Sequence, residues 1–582
     1  VRLFQLPASS WEDYNAQLIS RGGGVYKRSN KSIAITPEVK NALAIIENSL
    51  TPNELIKAIL KAPVDLLFNG GIGTYIKAST ETHADVGDKT NEFCRINGNE
   101  LRCKIIGEGG NLGITQLGRV EFALLGGHIN TDSIDNSAGV NCSDHEVNIK
   151  ILLNKEVSNK KLTEKKRNQL LAQMTEEVAQ LVLQDNYNQA LVLGFSSLNT
   201  VSYSGLYQAY IKELESSEQL DRAVEFLPDD KKLLERQAAG QGLTRPELAI
   251  IMAYTKIYLT HELLKSNLPD DPYFITILKT GFPTLLTKKY VKSMEKHRLR
   301  REIIATQLSN QIVNSLGITF MYRMRIETGQ SIANIACAYT FAAKAFQIEY
   351  LHKLIDSLNY KVTVHTQYEL LHHVRQLMNL ATRWFLRRHR LKGDLAKNIT
   401  HYSQSINKLE QIIPDLMVGV TKEYLDSIVV QFVNIGLPEE AAKKIATTRA
   451  MYTALNIVEV ATQNKFDLAR TAEVYFCIGS KFSLVWFRDQ IGNDSREGHW
   501  NNLARLSLRE ELDNLQRRLT IIILINNKKK LNAEELVSYW FTQNPFIQQR
   551  WEQLLEMLLS SSSNDYTMFF IALRELSSLV GA

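Results

Sequence analysis

Glycine divides this chain before any other feature does. Of its 30 glycines, sixteen lie before residue 142 and 14 are spread over the rest of the 582 residues. Glycine is used where the backbone needs positive φ or a close approach. The first part of the chain therefore needs many tight turns, and the rest does not.

The glycine-rich part reads as alternating helix and strand. Thr51-Pro52-Asn53-Glu54 carries a helix start: a Thr N-cap, Pro at the first helical position and Glu three residues after the cap. That helix is predicted to run to about Lys61, ahead of Pro63. The apolar run Val64 to Phe68 stops at Asn69-Gly70-Gly71, and Leu101 to Ile106 stops at Gly107. Both predict short, buried, parallel strands ending in loops. Beyond Asn141 the pattern turns helical. Ser143-Asp144-His145-Glu146 and Thr244-Arg245-Pro246-Glu247 have the form of capping boxes. Leu170, Leu171, Met174, Val178, Leu181 and Val182 recur at helical spacing. So do Ile304, Leu308, Ile312 and Leu316, with Gly317 as C-cap, and Leu370, Val374, Leu377, Ala381 and Trp384. Ser560 to Ser563 reads as a loop before a last helix, Thr567 to Val580. The expected fold class is α/β followed by all-α, with residues 1–142 as one domain and 143–582 as a helical one.

Composition excludes several classes. Apolar content of 44% and charged content of 22% are ordinary for a globular chain. A net charge of 68 − 62 = +6 demands neither nucleic acid nor membrane as partner. Leu519 to Ile525, the most apolar run, is far short of the roughly 20 residues a span needs. Five cysteines without a CxxC pair read as reduced thiols of a cytoplasmic protein, with no metal-ligand spacing. The N-terminus has neither a starting Met nor the apolar core of a signal peptide, and reads as the interior of a longer chain.

Three stretches can carry chemistry. The first is GEGGNLGITQLGR, Gly107 to Arg119, a glycine-rich turn directly after a strand. Open α/β sheets bind ligands outside the carboxyl ends of their strands. The amide of Asn111 can both donate to and accept from a ribose hydroxyl or a carboxamide. The same residues also suit a plain tight turn, and Leu112 breaks the GxGxxG pattern. The second is Ile129 to Glu146, where Asn136, Ser137, Asn141 and Ser143 would sit on a loop before a helix whose N-terminus favours a carboxylate. Ser143 capping its own helix is the competing reading. The third, Asn69 to Thr74, either lines the adenosine side of a cofactor or turns the chain.

Other clusters read as structural. His83, Asp85 and Asp88 supply too few ligands for a metal. Asp144, His145 and Glu146 at a helix start would complement its dipole. Arg383, Arg387, Arg388 and Arg390, like the run Lys296 to Arg301, read as solvated faces rather than nucleic-acid sites.

These stretches resemble a family. DLLFNGGIGTYIKASTETHADVGDK, followed by LRCKIIGEGGNLGITQLGRVEFALLGGHINTDSIDNSAGVNCSDHEVNIKILL, is similar to the large bacterial NAD-specific glutamate dehydrogenases. LFQLPASSWEDYN, LISRGGGVYKRS, GLTRPELAIIMAYTKI, LRREIIATQLSNQIVN and VYFCIGSKFSLVWFRDQI extend the likeness over essentially the whole chain. The resemblance implies the C-terminal half of a Rossmann-like NAD-binding domain over 1–142, then a large helical domain. It implies oxidation of L-glutamate by NAD to 2-oxoglutarate and ammonium, in a cytoplasmic homo-oligomer. It places Asn69, Gly70 and Gly71 beside the adenosine ribose, and Gly109 and Asn111 on the cofactor, with Asn111 at a ribose. Asn136 would face the nicotinamide carboxamide and the substrate, and Val140 and Ser143 the glutamate side chain.

The family's nucleotide glycine motif and its catalytic lysine and aspartate have no counterpart here. Lys77, Lys104 and Lys150 stand outside the lysine's motif, so no residue of this chain is assigned a catalytic role. The missing N-terminal portion of the enzyme is the implied partner, and the isolated chain is expected to be inactive. The alternative is a non-enzymatic helical regulatory or assembly module with a degenerate half nucleotide-binding domain.

Overall fold

A computed structural model describes residues 9–217, 219–388, 393–492, 499–525, 531–560 and 566–579. Arg390, the predicted loop residues Ser561 to Ser563 and the first eight residues lie outside the described residues. One compact unit ends at Tyr322, and a second begins at Arg323.

In the first unit, β1 (Ile33–Ala34) and β2 (Ser49–Leu50) form an antiparallel pair around α1 (Pro37–Leu43). α2 (Pro52–Leu60) opens with the predicted box: Thr51 N–H donates to Glu54 Oε2 at 2.8 Å, and Glu54 N–H to Thr51 Oγ1 at 3.4 Å. β3 (Leu66–Asn69) then enters the layer. β4 (Ile76–Lys77), α3 (His83–Val86) and β5 (Ile96–Asn97) follow, and β6 (Ile105–Glu108) returns beside β3. β3 and β6 are parallel, in register from Leu66 opposite Ile105 to Asn69 opposite Glu108, and β4 pairs with β5 in the same sense.

The two predicted strands are parallel but not buried on both faces. Ile106 is 2% exposed, while Leu66, Phe68 and Ile105 are 55, 65 and 46% exposed. Alternate side chains of a strand point to opposite faces, and only one face of β3–β6 is covered among the described residues. An all-apolar run carries no sign of which face stays open.

The covered face packs on β4, β5 and α4 (Gln116–Leu124) through Ile76, Ile96 and Phe122, and long helices follow. After α4 come α5 (Asp132–Asp135), α6 (Ser137–Ser158) and α7 (Glu164–Ser197), then α8 (Ser204–Ser216), α9 (Asp230–Ala238) and α10 (Arg245–Leu264). α10 packs on α4, α7 and the helix Arg300–Leu316, which ends at Gly317 with φ 96° as its stripe predicts. The Thr244 box opens α10 and is buried. Glu247 accepts from Thr244 N–H at 2.7 Å and from Arg236 at 2.8 and 2.9 Å.

The second unit is helical throughout its described residues. Helix Ile332–Ala345 packs on helix Val364–Arg387, with the Phe341 and Phe385 ring centroids 4.1 Å apart. The predicted stripe Leu370, Val374, Leu377, Ala381 and Trp384 is buried. The run Leu519 to Ile525 is the end of helix His499–Ile525, and its Leu519 and Ile523 are buried beside Leu576 of the last helix, Tyr566–Leu579. Among the described residues, no helix is long and apolar enough to cross a membrane.

Two basic runs prove to be more than solvated faces. Arg383 pairs with Glu327, with side chains 12 and 5% exposed, and Arg387 with Glu510. In the first unit, Arg301 pairs with Asp270 and donates to the Leu264 and Ser266 carbonyls, while His297 Nε2 lies 3.1 Å from the Asn148 carbonyl. Arginines near a helix end are recruited to neighbouring helices that periodicity does not reveal. None of the five cysteines is in a disulfide. Cys94, Cys103 and Cys337 are buried, Cys477 is half-buried and Cys142, on α6, is exposed.

Candidate functional site

The carboxyl ends of β3 and β6 lie side by side, and their loops pack on each other. The Asn69 carbonyl accepts from Gly109 N–H at 2.8 Å and Gly110 N–H at 3.1 Å. A Cβ at Gly110 would meet the Gly71 carbonyl oxygen, and one at Gly109 would meet the Phe68 ring. The glycines are thus consumed by loop-on-loop and ring-on-loop packing. Gly110→Ala should cost about 1–3 kcal/mol by overpacking. A thermal melt indistinguishable from the parent would refute that contact.

Further bonds fix the second loop. Leu112 takes a left-handed φ of 55°, and its N–H donates to Asp132 Oδ2 at 2.8 Å. Glu108 N–H donates to Asp135 Oδ2 at 3.1 Å. Under the loop, Arg119 from α4 grips Glu108 with two bonds, at 2.6 and 3.0 Å, and reaches Asp132 at 3.2 Å. Burial raises the Glu108 carboxyl above its usual range despite the guanidinium beside it, and Glu108 in turn raises Arg119.

α6 begins at Ser137, seven residues before the start that a Ser143 cap predicts. Ser143 therefore caps nothing. Its hydroxyl donates to the Gly139 carbonyl, one turn back, at 3.0 Å. Asp144 and Glu146 are likewise too far inside the helix to complement its dipole. The segment predicted as a loop before the helix is the first two turns of the helix itself. Its start is pinned from α7: Asn186 Nδ2 donates to the Ile134 carbonyl at 2.8 Å and to Ser137 Oγ at 2.9 Å, and Asn141 Nδ2 donates to Asp185 at 2.9 Å.

Between the β6 loop and α6 opens a cleft of about 620 Å³. Asn111, Asn136 and Val140 all line it, and Asn136 Nδ2 donates to Asn111 Oδ1 at 3.1 Å. Ser133, Ser137, Gly139 and Asn141 complete the polar wall together with Asp144, which the sequence marked only as a helix-start charge, and Asp132, which it did not mark. Asp132 stands four residues before Asn136, the one pattern that could have found it. Asn69, Gly70, Gly71 and Gly109 form the adjoining loop pair outside this lining, and Ser143 lies beside it on α6. Among the described residues, no lysine or arginine lines the cleft. The insertion between the strands is internally satisfied. Asp85 closes a capping box with Thr82, Asp88 accepts from Thr74 N–H at 2.9 Å, and His83 Nδ1 lies 3.1 Å from Arg95.

Fold and cleft together define a class: a parallel-strand layer with an open, amide-lined cleft at its carboxyl ends, walled on one side by the long helix α6. Sequence comparison places the chain within it. A family model described as Glutamate dehydrogenase, C-terminal matches residues 240–578, and one described as Bacterial NAD-glutamate dehydrogenase, catalytic domain matches residues 1–196. The NAD-specific glutamate dehydrogenase of Pseudomonas aeruginosa is 46% identical over 578 residues, that of Halomonas elongata 43% over 578, and that of Mycobacterium tuberculosis 37% over 581. Each match takes in 99% of this chain and 36% of the relative, so the chain spans about a third of the length of these relatives. The chain belongs to the bacterial NAD-specific glutamate dehydrogenase family.

Proposed function

We propose that this chain forms the nicotinamide- and glutamate-facing wall of an enzyme that oxidises L-glutamate with NAD to 2-oxoglutarate and ammonium. The observation that carries the reading is the pair of amides, Asn111 and Asn136, meeting in one cleft at the carboxyl end of a parallel strand. An amide pair offers both donors and acceptors, which suits a ribose hydroxyl and a carboxamide. The N–H groups of Gly109, Gly110 and Leu112 are engaged within the protein, so this loop orients the uncharged end of a dinucleotide rather than cradling its pyrophosphate. On this reading residues 1–142 are the C-terminal half of a Rossmann-like NAD-binding domain, and residues 143–582 a helical C-terminal domain.

NAD, when bound, supplies the hydride acceptor, while the protein binds and orients. Asn111 holds the ribose and Asn136 the carboxamide. Asn69, Gly70, Gly71 and Gly109 flank the adenosine side. Val140, 71% exposed on the cleft wall, packs on the glutamate methylenes. The Ser143 hydroxyl, a free rotor, turns from the Gly139 carbonyl to a substrate carboxylate. The described lining offers no lysine or arginine to neutralise the carboxylates of glutamate, and on this reading a further part of the enzyme supplies the charge-balancing and proton-transfer groups. The working form is taken to be a cytoplasmic homo-oligomer of relatives' length, and this chain alone is taken to be inactive.

The test is glutamate-dependent NADH formation. An enzyme of the relatives' length containing this chain should lose about a hundredfold in rate with Asn136→Ala, roughly 2.7 kcal/mol of transition-state stabilisation. An undiminished rate in that variant, or robust turnover by this chain alone, would overturn the proposal.

A further inference from the structure

The cleft depends on two asparagines contributed by separate pieces of chain, Asn111 by the loop after β6 and Asn136 by the junction of α5 and α6. One residue is bonded to both pieces. Asp132 Oδ2 accepts from the N–H of Leu112, next to Asn111, at 2.8 Å. The Asp132 carbonyl accepts from the N–H of Asn136 at 2.8 Å. Its other carboxylate oxygen, Oδ1, is braced by Arg119 at 3.2 Å and also accepts from Ser133 N–H at 2.9 Å. Arg119 is itself locked, 4% exposed, by two bonds to the fully buried Glu108 at the end of β6. The loop and, through Arg119, the strand end therefore meet at the Asp132 carboxylate, while the helix start is tied to the same residue through its backbone carbonyl.

We propose that Asp132 is the positioning residue that sets Asn111 and Asn136 at their mutual distance, and so shapes the cleft for the nicotinamide end of the dinucleotide. The coupling stands on the structure of this chain, while its consequence for the cofactor rests on the function proposed above. Leu112 shows why a tie is needed. A leucine in the left-handed region costs about 1 kcal/mol or more, and the Asp132 bond offsets that cost. Without it the loop relaxes, and the neighbouring Asn111 amide moves away from Asn136.

The first experiment is hydrogen exchange on this chain. Asp132→Ala should speed exchange at least threefold in both 109–113 and 136–140. Asp132→Asn, which keeps an acceptor but loses its charge against Arg119, should give a smaller change in the same two segments. Faster exchange in 109–113 alone, or a uniform rise across the first unit, would overturn the proposal.

The second experiment uses the enzyme of relatives' length. Asp132→Ala should weaken NADH binding about tenfold and leave ADP, which lacks the nicotinamide half, within twofold of the parent. Equal weakening of both, or no weakening of NADH, would reject the positioning role. Coupled exchange together with full activity of Asn136→Ala would instead reject the assignment of the cleft to glutamate dehydrogenation and leave the Asp132 tie standing.

Discussion

Arg119→Ala should destabilise the first unit by about 3–5 kcal/mol, the usual cost of leaving a buried charge without its partner. Glu108 has no exposed surface and takes both of its short side-chain bonds from Arg119. Burial already raises the Glu108 carboxyl, and losing the guanidinium raises it further. A carboxyl whose folded pKa is raised is penalised more as pH climbs above its unfolded value. The deficit of the variant should therefore be largest near pH 8 and should shrink as pH falls and Glu108 takes up a proton. Native-state hydrogen exchange in 105–124 measures it. A loss under 1 kcal/mol, or a deficit independent of pH, would show that the pair is solvated rather than sealed. Arg119→Lys should recover only part of the loss, because an ammonium cannot repeat the forked grip.

The second unit should be acid-sensitive for a different reason. His352 and His373 are both pushed down to about 4, mainly by burial. Arg375 lowers His352 further while Glu349 opposes, and His372 and Arg449 lower His373. His352 Nε2 and His373 Nδ1 are buried without a hydrogen-bond partner, and the His373 ring lies edge-on to Phe432 at 5.7 Å. Each ring must enter the fold neutral. The stability it contributes is complete above an unfolded value near 6.5 and is lost as pH falls toward 4. At pH 5 the loss is about 2 kcal/mol for each ring. Five of the six tryptophans lie in this unit, so its urea midpoint can be followed by fluorescence. The midpoint should fall between pH 7.5 and pH 5, and the double variant His352→Gln, His373→Gln should flatten that dependence. A parent midpoint that does not move would rule the mechanism out.

What the sequence disclosed was what its local signals encode. Thr51-Pro52 and Thr244-Pro246 start helices where predicted, because cap, proline and glutamate lie within one turn. Ser143 carries the same Ser-x-x-Glu signature and starts nothing. The helix had already begun at Ser137, held there by Asn186 of the next helix, α7, some 49 residues on. The open face of β3 and β6 was illegible because Val64 to Phe68 is apolar at every other position and between, leaving only Asp65 polar. Glu108 and Arg119 are eleven residues apart, a spacing with no meaning until strand and helix are packed. In the cleft, Asn111 and Asn136 were marked by residue type and placement and Val140 by the family likeness, and all three line one cleft. Asp132 escaped notice because its role is to hold backbone from two loops, and composition cannot show that.

Cys142 sits on the same helix as that wall, next in the chain to Asn141, and is the one exposed thiol of the five. A maleimide dye under mild conditions would therefore attach at a single, known place. Its emission would register a ligand settling between Asn111 and α6 without any turnover, which makes the cleft observable by titration even in a preparation that catalyses nothing.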